Sequence, residues 1–178
     1  MSLYITSLNS GSNGNCYYVG NHREAVLIDA GISCREAEKR LERSGLSFKK
    51  IRAVFISHEH TDHICGAKVI ARKYQIPVFL KNRIRGDEGH LSNHQALELF
   101  TTHKSPFMSH LLLSHLSEQN NSPQLVHDLF MKHAGSTNIG IASRYEESGV
   151  YCISGADAAV EPGKAIAPAL LPKQLSLF

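Results

Sequence analysis

The sequence predicts one domain of mixed α/β class that is followed by a tail. Three observations support this class. Short apolar strands separated by turn residues dominate the early part of the chain. Segments with helical spacing and segments with strand spacing then alternate. The chain of 178 residues, 42% of them hydrophobic, is long enough to bury one core and lies within the size range of a single domain.

The predicted strands are short apolar or alternating segments bounded by turn residues. The polar segment from Gly11 to Asn15 is interpreted as the turn of a hairpin between the first two strands, although the loop from Ser10 to Asn15 is also suited to present backbone N–H groups to a phosphate. The predicted strands are residues 3–8, residues 16–19, Ala25–Ile28, Arg52–Ser57, Ile76–Leu80 and Leu111–Leu113, with a last strand pair between about Ile139 and Ile153.

The helices are predicted from apolar residues that recur at helical spacing. Gly45 is expected to end the first of them, since glycine adopts the left-handed conformation of a helix C-terminus without strain. The predicted helices are about Cys34–Ser44, Ile64–Tyr74, Leu97–Phe100 and Pro123–His133. From about Gly155 onward the residues are mostly Ala, Pro, Gly and Lys without periodicity. The domain is therefore predicted to span residues 1–154, and residues 155–178 are predicted to form a flexible tail.

Charge and composition limit the class of protein without identifying a partner. The net charge of +3 is too small to indicate nucleic-acid binding by itself, because phosphate binding depends on local clusters of Lys and Arg. Neither a signal-peptide pattern nor a stretch of membrane-spanning length is found, so a soluble cytoplasmic protein without a membrane partner is expected. The four cysteines lie far apart with no CxxC pair, which favours reduced, mostly buried thiols.

Four metal-ligating side chains follow the strand Arg52–Ser57 directly. Residues two apart at a strand end point the same way, so His58 and His60 can bind one ion. Asp62 and His63 fall at the start of the next helix, where they can turn toward a second ion. Imidazole and carboxylate ligands suit zinc, manganese or iron, and coordination positions left open to water make such a site catalytic. The alternative is a polar loop that only caps the helix.

The HxHxDH pattern of this segment resembles that of the metallo-β-lactamase-fold hydrolases. The resemblance implies an αββα sandwich with two divalent metal ions, zinc or manganese, that activate water for hydrolysis. Asp29, in the segment LIDAG, matches the superfamily's acidic residue on an earlier strand, which orients the metal-binding loop without binding the ion itself. Asp29 is also suited to cap the following helix, and the two roles are compatible.

Three further segments are similar to the WalJ/YycJ group of bacterial proteins within this superfamily. Proteins of this group are regarded as exonucleases that degrade double-stranded DNA from the 5′ end, so the resemblance implies DNA as the substrate. His115 matches the late histidine that closes the second metal position, whereas taken alone it would be an ordinary surface or core residue. The three segments are SLNSGSNGNCYYVG near the start, GHLSN at residues 89–93 and LLLSHLSEQNNSP at residues 111–123.

The candidate catalytic residues under this resemblance are Asp62 and His90. His90, with Ser92 and Asn93, matches a family segment near the site and is suited to hydrogen bond to phosphate or product. The alternative is that Ser92 or Asn93 caps the helix that holds Leu97.

The resemblance is interrupted near residues 80–88, where the chain lacks a central section of the family. Family members carry there a third metal-binding histidine and an aspartate that bridges both ions, and neither is found in this chain. The two ligand sets are therefore incomplete, and the chain is expected to hold two ions, one or none. The sets are His58 and His60 for the first ion, and Asp62, His63 and His115 for the second.

Losing central strands is expected to expose sheet edges, which favours either pairing with another chain, for example as a homodimer, or unstable folding. A domain-swapped dimer, an internal deletion and a piece of a longer chain are all consistent with the sequence.

The last five residues, QLSLF, resemble the short peptide by which bacterial repair and replication proteins bind the sliding clamp. A disordered tail would offer Leu175, Leu177 and Phe178 to an apolar pocket, while Gln174 would fix the orientation of the peptide by hydrogen bonds. The alternative is an apolar C-terminus that packs on its own domain.

Three functional hypotheses follow from these residues. The leading hypothesis is a metal-dependent DNA exonuclease or phosphodiesterase of DNA repair or replication. The second is a hydrolase of the same fold that acts on a small molecule such as a thioester or a lactam. The third is a shortened chain that acts without catalysis as a clamp- or DNA-binding module.

Overall fold

A computed structural model describes residues 2–80, 91–117 and 121–154 of the chain. The segment near residues 80–88, where the family section is interrupted, lies almost entirely outside these ranges, as does the predicted tail. The described residues form eight strands and five α-helices. The strands are β1 Ser2–Asn9, β2 Cys16–Gly20, β3 Ala25–Ile28, β4 Ile51–Ile56, β5 Val78–Leu80, β6 His110–Leu113, β7 Asn138–Ile141 and β8 Tyr151–Ser154, and the helices are α1 Cys34–Arg43, α2 Thr61–Ile64, α3 Ala67–Tyr74, α4 Asn93–His103 and α5 Pro123–Ala134.

The larger sheet has six strands in the order β5-β4-β3-β2-β1-β8. The strands β8, β1, β2 and β3 pair in antiparallel fashion, whereas β3, β4 and β5 are parallel neighbours. Leu27 of β3 pairs with Val54 of β4, which in turn pairs with Val78 of β5. Because parallel strands end at the same edge of a sheet, the residues that follow β3 and β4 are brought together there.

The smaller sheet consists of the parallel strands β6 and β7, with α5 between them in sequence. Two hydrophobic cores accompany the two sheets. One face of the larger sheet packs on α1 and α3, where Leu8, Leu27, Leu41 and Ile70 are fully buried. A second core forms where α4 and α5 cover the smaller sheet, around the aromatic ring of Phe130. Helices thus cover one face of the larger sheet, and α4 and α5 cover the smaller sheet, of which two strands are described.

Most predicted elements form, and two predictions are wrong in detail. The strand pair expected between Ile139 and Ile153 forms as two strands that do not pair with each other, because β7 pairs with β6 and β8 pairs with β1. The helix expected at Ile64–Tyr74 is divided into α2 and α3 at Cys65 and Gly66. Gly45 follows α1 with a φ of 68°, as expected for a left-handed helix end.

The face of the larger sheet opposite α1 and α3 carries an exposed apolar row. Ile28, Phe55 and Phe79 stand side by side on β3, β4 and β5, and they are 40%, 45% and 52% exposed. The rings of Phe55 and Phe79 stack with their centroids 5.2 Å apart. The sequence did not predict this exposed face; the exposed sheet edges and the homodimer stay predictions.

The four cysteines are unpaired, as expected, but their burial differs from the prediction: Cys16 and Cys34 are buried, Cys152 is half-buried and Cys65 is exposed. No helix in the described ranges combines the length and the apolar composition that crossing a membrane requires.

Gly31 lies where the backbone after β3 meets the loop after β4. A Cβ atom added to Gly31 would collide with the backbone carbonyl of Asp62 and would crowd the backbone nitrogen of Asn15. The replacement Gly31→Ala is therefore expected to lower the free energy of unfolding by about 3 kcal/mol, since the clash involves backbone that cannot move aside. Urea unfolding followed by circular dichroism measures this change.

The matched control is Gly149→Ala, because an added Cβ at Gly149 meets no atom within 4 Å. It is expected to change the free energy of unfolding by less than about 0.5 kcal/mol. Equal values for the two variants would contradict the close approach at Gly31.

Candidate metal centre

The site is built at the edge of the larger sheet where the parallel strands β3 and β4 end. Asp29 follows β3, and the segment from Ser57 to His63 follows β4 and enters α2. Backbone hydrogen bonds hold the two segments together, from Asp29 N–H to the Phe55 carbonyl at 2.8 Å and from Ala30 N–H to the His63 carbonyl at 2.8 Å. The acidic residue that follows β3 and the histidine-containing loop that follows β4 are thus brought together in one cluster.

His63 is buried and is held by the carboxylate of Asp29. Its Nδ1 lies 2.7 Å from Asp29 Oδ2, and both side chains are less than a tenth exposed. A carboxylate accepts hydrogen bonds, so Nδ1 carries the proton and Nε2 keeps a free electron pair. Asp29 is fixed in turn by Ser57, whose backbone N–H and hydroxyl both donate to Oδ1, at 2.8 and 2.9 Å.

Asp29 does not cap α1, whereas its predicted role as the residue that orients the metal-binding loop stays a prediction. Ser33 caps α1, because its hydroxyl accepts the backbone N–H of Glu36 at 3.2 Å. Asp29 also adopts a φ of 61°, a left-handed conformation that costs an L-residue about 1 kcal/mol or more. Hydrogen bonds from Ser57 and His63 to the carboxylate of Asp29 stabilise this conformation.

A set of three side chains is suited to bind a metal ion. One ligand atom from each of Asp62, His63 and His115 lies within 4.8 Å of the other two. His115 comes from the loop after β6, with a φ of 56°, and its backbone N–H donates to Ser10 Oγ at 2.7 Å. Two imidazoles and one carboxylate suit zinc or manganese, and three protein ligands leave coordination positions for water. The donor set therefore fits a divalent ion.

His58 and His60 lie beside this set. The His58 ring centroid is 4.6 Å from that of His60 and 3.8 Å from that of His63, so the three imidazoles form one cluster. Desolvation, followed by the neighbouring imidazoles of His63 and His60, lowers the pKa of His58. A neutral imidazole is the form that binds metal ions. The two residues that the sequence assigns to a first ion thus stand together next to the set that it assigns to the second.

Asn15 is a site residue that sequence analysis missed. Its side-chain amide is buried and lies 3.2 Å from Asp62 Oδ2 and 3.1 Å from His63 Nε2, while its backbone N–H donates to the Asp62 carbonyl at 2.6 Å. The early loop from Ser10 to Asn15 was expected to be a turn or a phosphate cradle. In the structure, Asn15 contacts Asp62 and His63 through its backbone N–H and its side chain. The side chain of Ser10 contacts the backbone of His115.

The arginine behind this loop was also missed by sequence analysis. Arg40 of α1 is buried, and its Nη1 donates to the Leu8 carbonyl and to Asn9 Oδ1, both at 2.7 Å. Asn9 in turn donates to Asn13 Oδ1 at 3.2 Å. The one signal in the sequence is an arginine on the otherwise apolar side of α1 with Ala37 and Leu41, which predicts burial without showing its partner.

The structure brings together six of the predicted site residues: Asp29, His58, His60, Asp62, His63 and His115. His90 lies outside the described residues, as do the predicted clamp-binding residues Gln174, Leu175, Leu177 and Phe178. Ser92 caps α4 in a capping box with Gln95, which is the alternative that the sequence left open for this segment. Asn93 exchanges side-chain hydrogen bonds with Asn121, at 3.0 and 2.7 Å.

A cavity of about 870 Å³ opens beside the metal set. It shares His115 with that set, and it extends past the polar side chains of Ser12, Asn93, Asn121 and Arg144. A space of this size lies in the range of ligand-binding pockets.

Comparison with protein families identifies the class of protein to which the chain belongs. Residues 10–150 match the family model of the metallo-beta-lactamase superfamily, so the chain belongs to that superfamily. The superfamily and the relatives described below support the class of metal-dependent hydrolase.

Among individual relatives, the chain is similar to Exodeoxyribonuclease YycJ of Bacillus anthracis, with 37% identity over 91 residues that cover 51% of this chain and 34% of the relative. It is also similar to Exodeoxyribonuclease WalJ of Streptococcus pneumoniae serotype 2 (strain D39), with 36% identity over 76 residues that cover 43% of this chain and 28% of the relative. The matched segments thus span about a third of the length of these curated relatives. The resemblance to this group that the sequence predicts is confirmed.

A solved structure supports the fold. The metallo-beta-lactamase fold protein YhfI from Bacillus subtilis superimposes with a TM-score of 0.56 and 14% sequence identity, and the match covers 83% of this chain and 98% of that chain. The predicted fold class is therefore confirmed.

Asp29→Asn is expected to weaken zinc binding by roughly 10- to 100-fold, because an amide cannot hold His63 in its metal-binding tautomer as a carboxylate does. Competition with a chromogenic zinc chelator measures the affinity. The matched control is Asp128→Asn, which changes an exposed aspartate of α5 in the same way and is expected to leave the affinity unchanged. Equal affinities for the parent and Asp29→Asn would contradict the orienting role of Asp29.

Proposed function

We propose that this chain forms part of a metal-dependent exonuclease that hydrolyses phosphodiester bonds in DNA. The observation that carries the proposal is the convergence of Asp62, His63 and His115, whose ligand atoms lie within 4.8 Å of one another. The names of the two relatives, both exodeoxyribonucleases, support DNA as the substrate. Degradation from the 5′ end, a role in repair or replication and a cytoplasmic location belong to the same proposal and rest on the resemblance to the WalJ/YycJ group.

In this proposal the residues of the chain hold and orient the reacting groups. A divalent ion bound there would supply a nucleophile, since metal coordination lowers the pKa of water to near neutrality. Asp62, His63 and His115 would hold that ion. Asp29 keeps the proton of His63 on Nδ1, so that Nε2 is ready to bind without a change of tautomer. The hydroxyl oxygen of Ser10 holds the backbone of His115 by accepting a hydrogen bond from its N–H group.

Asp62 is the one predicted catalytic residue within the described ranges. Its Oδ2 lies 3.2 Å from the Asn15 amide and 3.5 Å from His63 Nε2. We assign Asp62 the role of a metal ligand whose carboxylate is held by Asn15. His90 stays a prediction, as a residue that contacts phosphate or product.

The other ion of the proposal, which the sequence analysis calls the first ion, would bind at His58 and His60. Two imidazoles do not complete a ligand set, since zinc sites use three or four protein ligands. We propose that further donors come from a longer chain or from a second copy of this chain. The incomplete ligand sets are the observation that supports the binding-module hypothesis as the alternative.

His63→Ala is expected to reduce DNA hydrolysis by more than roughly 100-fold, because it removes a metal ligand and not only a residue that orients one. The assay follows release of nucleotides from linear, 5′-phosphorylated double-stranded DNA with manganese or zinc added. His133→Ala is the matched control, since His133 is an exposed histidine near the end of α5. A parent chain that binds metal but hydrolyses no DNA would contradict the exonuclease proposal, and hydrolysis that survives His63→Ala would remove the metal set from the mechanism.

The C-terminal segment QLSLF is proposed to bind the bacterial sliding clamp. Removing residues 174–178 is expected to abolish capture of the chain by an immobilised clamp, because Leu175, Leu177 and Phe178 supply the apolar contacts of such a peptide. The replacement of Leu177 and Phe178 by alanine in the full chain is expected to act in the same way. Equal capture of the parent and both variants would contradict the proposal.

A further inference from the structure

The large cavity beside the metal set has features that the metal site does not explain. It has a volume of about 870 Å³, and it is walled by the loop that carries His115 and by the beginning of α4. A single phosphoryl group at the metal ion would fill a small fraction of it. The remaining volume is sufficient for a further part of the substrate.

The described part of the cavity wall carries one permanent charge, and this charge is positive. Among the described residues that line the cavity, Arg144 is the one with a permanent charge, and none is a carboxylate. The other polar side chains, such as Ser12, Ser117 and Asn121, are neutral hydrogen-bonding groups. A guanidinium group is suited to phosphate, because its planar set of donors matches two phosphate oxygens at once.

Two hydrogen bonds hold Arg144 in place. Its Nη2 donates to the Leu116 carbonyl at 3.0 Å, and its own carbonyl accepts a hydrogen bond from the side chain of Asn13 at 2.9 Å. It therefore connects the early loop with the loop that carries the metal ligand His115. These contacts hold Arg144 next to the loop that carries His115.

The rest of the cavity wall is apolar. Leu91, Ala96 and Phe130 line it together with the polar groups. A wall with one guanidinium, several neutral polar groups and an apolar side fits a ligand that combines one phosphate with a largely uncharged body. A nucleotide has this chemistry.

We propose that this cavity binds a nucleotide unit of the DNA strand next to the scissile phosphate, with Arg144 as the ligand of its phosphate. The inference rests on the proposed function, since it names the part of the substrate that the same site holds. Arg144 is thus a binding residue of the substrate and not a metal ligand. Its removal should weaken nucleotide binding even when no metal is present.

The test uses the full chain in EDTA, with thymidine 5′-monophosphate as the probe and thymidine as the uncharged comparison. Isothermal titration calorimetry is expected to show binding of the monophosphate and at least about tenfold weaker binding of thymidine. Arg144→Gln is expected to weaken binding of the monophosphate by about tenfold or more, and Arg144→Lys by less, since the charge is retained. The matched control is Arg23→Ala, which alters an exposed arginine in the turn between β2 and β3.

A second variant keeps the test independent of the folding of the Arg144 variants. Ser12→Trp places a large side chain at an exposed position on the cavity wall, leaves Arg144 intact, and is expected to weaken binding of the monophosphate by a similar factor. Equal binding of thymidine and its monophosphate, or unchanged binding by both Arg144→Gln and Ser12→Trp, would overturn the inference.

The outcomes separate this inference from the proposed function. With manganese or zinc and DNA, Arg144→Gln is expected to raise KM more than it lowers kcat while the affinity for zinc stays unchanged. A parent chain that binds the monophosphate as described but does not hydrolyse DNA would contradict the proposed function and support the nucleotide subsite. A parent chain that hydrolyses DNA but shows no preference for the monophosphate would overturn the subsite alone.

Discussion

The buried hydrogen bond between Asp29 and His63 is the interaction on which the rest of the site depends. It joins the ends of two parallel strands, fixes the protonated nitrogen of the imidazole, and stabilises a left-handed backbone conformation at Asp29. Burial strengthens this bond, because little water is available to compete for the carboxylate. The same burial makes the pair costly to leave unsatisfied, so the metal loop is held in one arrangement before any ion binds.

The early loop between β1 and β2 acts as a second support for the site. Asn15 holds Asp62 and His63 through its amide, and Ser10 holds the backbone of His115. Arg40 stabilises this loop from behind by binding Asn9. Ligands that are distant in the sequence are thus oriented by one polar network that begins on α1 and ends at the metal set. Such orienting contacts determine how much of the binding free energy of the ion is lost to ordering its ligands.

The two faces of the larger sheet differ in how completely other elements cover them. The helices α1 and α3 bury one face of the larger sheet, while Ile28, Phe55 and Phe79 remain exposed on the other. Contiguous exposed apolar surface of this kind marks a position where another layer or another chain packs. It is consistent with matches that span about a third of the curated relatives, and with the incomplete ligand set at His58 and His60.

The sequence by itself determined most local elements, because periodicity is a property of neighbouring residues, and its HxHxDH pattern indicated the superfamily by resemblance. Residues 58–63 could be interpreted without a structure since strand geometry sets where they point. Only the tertiary structure decided that β7 and β8 belong to different sheets and that Asn15 and Arg40 support the site. These contacts join residues far apart in the chain, and their partners are chosen by packing, which no local pattern encodes.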